Sequence, residues 1–112
     1  MNILIGNDNE LNSKLLEEIK HFIPIEQITY NKLLMSDSID KEGILLINLL
    51  DVVGDSKEVI NEVRMRYPRH KVIALHYFQV DSMIEKLLND GFDEYVSILN
   101  FSETIHEILD IN

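Results

Sequence analysis

Short, near-continuous apolar runs recur along the chain, separated by stretches in which apolar residues return every three or four positions. The runs are Asn2–Gly6, Gln27–Asn31, Gly43–Asn48, Lys71–His76 and Glu94–Ser97. The periodic stretches are Leu11–Phe22, Glu58–Tyr67, Val80–Asn89 and Phe101–Leu109. This predicts strand followed by helix, repeated about five times. Ile3-Leu4-Ile5, Ile44-Leu45-Leu46-Ile47 and Val72-Ile73-Ala74-Leu75 do not alternate with polar residues. Both faces of the sheet must then be covered, as in parallel α/β folds. In the first helix Leu11, Leu15, Ile19 and Phe22 form an inner stripe, and Asn12, Lys14, Glu17, Glu18 and Lys20 fill the outer face. Gly91 stands where a helix C-cap belongs, and Ser102 is the expected cap of the last helix, with Ile105, Ile108 and Leu109 turned inward. Pro24 and Pro68 each follow a helical pattern. The segment Asn31–Ile39 is short and polar in its second half, and reads as a helix or a loop.

Composition narrows the class. A chain of 112 residues with 46% apolar content supports one domain with its own core, residues 1–112, and no output domain. Ten Lys plus Arg against 20 Asp plus Glu give a net charge of −10, spread over both halves, which disfavours nucleic acid and anionic membrane as partners. The absence of cysteine removes disulfides, thiolate zinc sites and a Cys nucleophile. No basic leader and no apolar run of membrane-spanning length are visible, so a soluble, cytoplasmic protein is expected. No glycine-rich phosphate loop occurs, and Ser56 with His70 or His76 has no evident acid partner for a triad. The protein is not expected to be an enzyme.

A doubly wound sheet binds its ligands at the carboxyl ends of its strands. Ile3-Leu4-Ile5-Gly6-Asn7-Asp8-Asn9-Glu10 resembles the opening of a response-regulator receiver domain, whose first strand ends in an acid pair. Gly43-Ile44-Leu45-Leu46-Ile47-Asn48-Leu49-Leu50 resembles the third strand, which normally ends in the phosphoacceptor aspartate. The stretches Val63–His76 and Asn89–Ser97 resemble the third helix with strand four and the approach to strand five. The resemblance spans nearly the whole chain. It implies a flavodoxin-like receiver fold, (βα)5, with a five-stranded parallel sheet and helices on both faces.

The departures fall on the residues that perform the family's chemistry. Receivers hold magnesium with the acid pair and the acceptor; by resemblance those positions are Asn7, Asp8 and Asn48. The Ser/Thr that ends strand four becomes His76, and the Lys that ends strand five becomes Ile98. An amide cannot take a phosphoryl group as a carboxylate does, and isoleucine supplies neither charge nor donor. A degenerate pseudo-receiver, without cofactor and without bound magnesium, is expected. Asp8 is either a weak remnant of a metal site or the cap of the first helix, with capping the expected role. Asp51 is either a substitute carboxylate or a solvated loop charge. His76 either faces Asp8 and Asn48, as a metal or ligand contact, or is a structural filler. Tyr95 occupies the position of the family's switch aromatic, with packing the default. Tyr77 and Phe78 either shut the pocket or form a contact surface. The basic group Arg64, Arg66, Arg69, His70 and Lys71 either docks an acidic partner or complements a helix end.

The expected function is a stand-alone signalling module that works by phosphorylation-independent protein contacts. Its partner is a histidine kinase, another signalling protein, or a second copy in a homodimer. The expected face is Val80–Asn112, with Asp81, Glu85, Asp93, Glu103 and Glu107 exposed. The alternatives are a divergent phosphoacceptor using Asp8 or Asp51 with Mg2+, and a small-ligand sensor lined by Asn7, Asp8, Asn48 and His76.

Overall fold

A computed structural model describes residues 1–109. Strands β1 (Ile3–Ile5), β2 (Glu26–Ile28), β3 (Gly43–Asn48), β4 (His70–His76) and β5 (Glu94–Ser97) form one parallel sheet in the order β2-β1-β3-β4-β5. Helices α1 (Glu10–Lys20), α2 (Tyr30–Leu34), α3 (Ser56–Arg66), α4 (Asp81–Asp90) and α5 (Phe101–Leu109) connect or follow them. The architecture is the expected doubly wound, flavodoxin-like one. Although the strands are apolar throughout, their residues sort by parity. Ile3, Ile5, Leu45, Ile47, Val72 and Ala74 pack under α2, α3 and α4, while Leu4, Leu46, Ile73, Leu75 and Val96 pack under α1 and α5. Pairing of Ile5 with Ile47, Asn48 with Leu75 and His76 with Ser97 brings the carboxyl ends of four strands to one edge. The strand order reverses between β1 and β3, which is where such sheets form a crevice. Among the described residues no helix is long and apolar enough to cross a membrane.

Several local expectations need correction. The second strand ends at Ile28, because Thr29 caps α2 by accepting the Lys32 N–H (3.2 Å); the ambiguous segment is therefore a short helix followed by a loop. Asn9, not Asp8, caps α1, its Oδ1 accepting the Asn12 N–H at 2.9 Å. Phe22 lies beyond α1 and is 42% exposed, whereas Asn12 is fully buried. Ser102 does not cap α5: a 3-10 turn, Ile98–Asn100, leads into that helix, and the Ser102 hydroxyl reaches Glu18 on α1 instead. Gly91 closes α4 at φ +128°, as predicted, and a Cβ there would meet Ile60 at 3.4 Å.

Candidate functional site

The ends of β1 and β3 are joined by amides. Asn48, the last residue of β3, is fully buried. Its Oδ1 accepts the Leu50 N–H at 3.0 Å, so its Nδ2 is the atom left to donate to Asn12 Oδ1, at 2.8 Å. Asn12 Nδ2 in turn donates to the Asn7 carbonyl and to Asp51 Oδ2, both at 2.7 Å. Asp51 Oδ2 also accepts the Asn7 N–H at 3.0 Å, and Gln27 Nε2 donates to the Asn7 carbonyl at 2.8 Å. Backbone groups at both ends dictate which way each amide faces. Gly6 is required beside this chain of bonds, since a Cβ there would stand 2.5 Å from Asn12 Nδ2. Asn7 thus contributes its backbone, and Asp51 is a structural anchor rather than a solvated charge. Asp8 is exposed and lines a separate shallow depression with Gln27 and Thr29.

The ends of β4 and β5 are aromatic. The half-buried His76 ring stacks on Phe78, with centroids 3.8 Å apart and planes 17° off parallel. His76 Nδ1 accepts the Tyr77 N–H at 2.8 Å, so the neutral ring carries its proton on Nε2; burial lowers its pKa. The Tyr95 hydroxyl is shared between the carbonyls of His76 (2.9 Å) and Phe78 (2.7 Å), pinning this turn to β5. His76 and Phe78, with Leu49, Val59 and Leu87, line an open groove of about 380 Å³. At its rim the Ser56 hydroxyl bonds Asp90, and Lys86 Nζ reaches Ser56 Oγ at 3.1 Å and Asp90 at 2.7 Å. Ser56 thus bonds an acid directly, with no histidine between them. Asp90 raises the Lys86 pKa, so this lysine stays protonated and supplies no base to Ser56.

Of the expected pocket of Asn7, Asp8, Asn48 and His76, Asn12 joins Asn7 to Asn48, whereas His76 lines the aromatic groove and Asp8 a shallow depression. Ile98 packs beside the core under α1 and α5. The basic group is consumed internally. Arg64 bonds the His70 carbonyl (2.7 Å) and Asp93 (2.7 Å), Arg66 bonds Glu62 (2.6 Å), Arg69 bonds Asp40 (3.3 Å) and Glu42 (3.1 Å), and Lys71 bonds Glu94 (2.8 Å). His70 is buried, its Nε2 2.7 Å from the Met1 carbonyl, and burial lowers its pKa. On the expected contact face Asp81, Glu85, Asp93, Glu103 and Glu107 are all exposed as expected, and Asp93 in addition accepts the Val72 N–H at 2.8 Å. Residues 110–112 of that face lie outside the described residues.

No family model matches the sequence, and no curated protein is significantly similar to it. Solved structures are similar. The RcsB response regulator of Salmonella typhimurium superposes with a TM-score of 0.73 at 14% identity, over 98% of this chain and 58% of that one. The fold is that of a response-regulator receiver domain. A two-component response regulator from Clostridium difficile (TM-score 0.66, 17% identity, 98% of this chain and 95% of that one) has it too. So does the Mn2+-bound form of the response regulator Rcp1, with a TM-score of 0.64 and 16% identity over 99% of this chain and 96% of that one. The chain spans 58% of the RcsB chain it matches. At such identities the likeness carries the fold alone.

At the ends of β1 and β3 the amide atoms of Asn12 and Asn48 are committed to partners within the protein. Magnesium requires oxygen ligands. Here the amide N–H groups of Asn12 and Asn48 point between the neighbouring oxygens, and Asp51 Oδ2 already accepts two N–H bonds. Among the described residues no three His, Asp or Glu side chains are grouped to hold a metal. Sequence reasoning missed Asn12 and Gln27. Asn12 had a signal: it precedes Leu15 and Ile19 by three and seven residues, which puts it on the inner stripe of α1.

Proposed function

We propose that this receiver-fold domain is a non-enzymatic cytoplasmic module of signal transduction that acts through protein contacts, without phosphorylation and without a cofactor. The observation that carries this reading is the Asn7–Asn12–Asn48–Asp51 network. At the position that resembles the phosphoacceptor, Asn48 has both amide atoms committed to partners inside the protein. A phosphoryl group there would have neither a carboxylate to join nor a cation to rest on. Asp51 is a poor substitute acceptor, since one of its oxygens bridges two N–H donors. The partner is a histidine kinase, another signalling protein or a second copy, and the exposed acids Asp81, Glu85, Glu103 and Glu107 favour a basic surface.

Intact-mass measurement after incubation with acetyl phosphate and Mg2+ tests this reading. No added phosphoryl group is expected. A stoichiometric gain would overturn it, and loss of that gain in Asp51→Ala would name the acceptor. Amide NMR with Mg2+ and beryllofluoride is expected to leave Asn12, Asn48 and Tyr95 unmoved.

A further inference from the structure

The side of the sheet covered by α2 and α3 carries the most exposed large apolar side chains of the described residues: Val53 (98%), Met35 (86%) and Met65 (67%). Arg66 Nη2 donates to the Leu34 carbonyl at 2.8 Å, which ties the carboxyl ends of the two helices together; Met35 and Met65 each adjoin a bonded residue in the chain. Between the two helices a groove of about 400 Å³ is lined by Tyr30 and Leu34 on one wall, by Glu58, Asn61 and Glu62 on the other, and by Val53 from the loop before α3. Glu58, Asn61 and Met65 follow one another at helical spacing along the outer face of α3.

The charge of the groove names its occupant. Glu58 and Glu62 are the only charged residues lining it. Glu62 is shared with Arg66, and Glu58 has no cationic partner among the described residues. The Tyr30 hydroxyl has its pKa raised by burial first and then by Glu62, with Arg66 acting against it and Glu58 adding to it. A second copy would set acid against acid in a chain of net charge −10, and an anionic membrane would be repelled likewise. We infer that the α2–α3 groove is the docking site for a basic amphipathic helix of another protein, whose apolar side chains meet Val53, Leu34, Met35 and Met65 and whose Lys or Arg meets Glu58. The length of α3, 11 residues, matches about three turns of such a helix. The inference rests on the reading of this domain as a protein-contact module, which the acetyl phosphate experiment tests separately.

The test is an amide NMR titration of the full chain with a synthetic peptide of about 18 residues, Leu on one helical face and Lys on the other. Saturable shifts centred on residues 30–35 and 53–65 are expected. Met65→Lys and Glu58→Lys should each weaken binding roughly tenfold, while the same charge change at exposed Glu17 on α1 should weaken it less than about threefold. Equal losses from Glu17→Lys and Glu58→Lys, non-saturating shifts, or no shifts would overturn the assignment. Saturable shifts centred on residues 81–107 would also overturn it, while leaving the protein-contact reading intact.

Discussion

At the ends of β1 and β3 the polar groups tie one another down, whereas at the ends of β4 and β5 a stacked His76–Phe78 pair stands beside an open apolar groove. These are two halves of one strand-end crevice on a receiver fold. The first half shows how amides at strand ends form a structural cluster. Once amides stand at the ends of the strands, each can donate and accept, so the cluster satisfies itself without an external ligand. The second half shows the complement: His76 turns its Nδ1 to the Tyr77 backbone and its ring face to Phe78, and lines a different depression from Asp8.

Breaking the amide half should have the largest effect. Asn12→Leu removes the three side-chain bonds to Asn48, Asn7 and Asp51, and should destabilise the domain by about 3–4 kcal/mol in urea unfolding. Ser13→Ala, one residue away and exposed, should be near neutral. Asn48→Asp sets a buried carboxylate oxygen against Asn12 Oδ1 and should cost about 2–3 kcal/mol at neutral pH. Burial raises the pKa of that new carboxyl, so the unfolded state loses its proton first and the deficit grows as pH rises above about 4. In acid the protonated group donates to Asn12 and stability returns. The same variant should gain no phosphoryl mass with acetyl phosphate and Mg2+.

The aromatic half should respond more gently. Tyr95→Phe frees the carbonyls of His76 and Phe78 and should cost about 1 kcal/mol, with faster amide exchange confined to residues 76–80. The smallest effect concerns protons. The pKa values of His70 and His76 are both lowered by burial, so the unfolded chain binds protons that the folded one refuses. Their contribution is complete above about pH 6.5 and is lost as pH falls from there through the lowered folded values. Replacing both by Gln should flatten the acid side of the Tm profile by about 2–4 °C.

The order of strands and helices was legible because burial on both sheet faces demands unbroken apolar runs such as Ile44–Ile47, and covering helices demand a period near 3.6. Boundaries were less so. Thr29, Asn9 and Ser97 outcompeted neighbouring polar residues as local caps, a choice made by backbone geometry that residue type alone does not express. At the site, Asn48 could be placed at the end of β3 and Ile98 just after β5 from the sequence alone. The union of Asn12 with Asn48 could not, since 36 residues separate them.

By itself the sequence determined a parallel α/β domain with amide and apolar residues at its strand ends, because periodicity and residue type are local properties. Only the tertiary structure decided that Asn12 is buried, that Asp51 is an anchor, that the arginines are spent on internal partners and that Val53, Met35 and Met65 gather on one side. Each of those outcomes depends on which groups the sheet register and helix packing bring within hydrogen-bonding or van der Waals reach, and a long-range contact is settled by competition among partners across the whole fold.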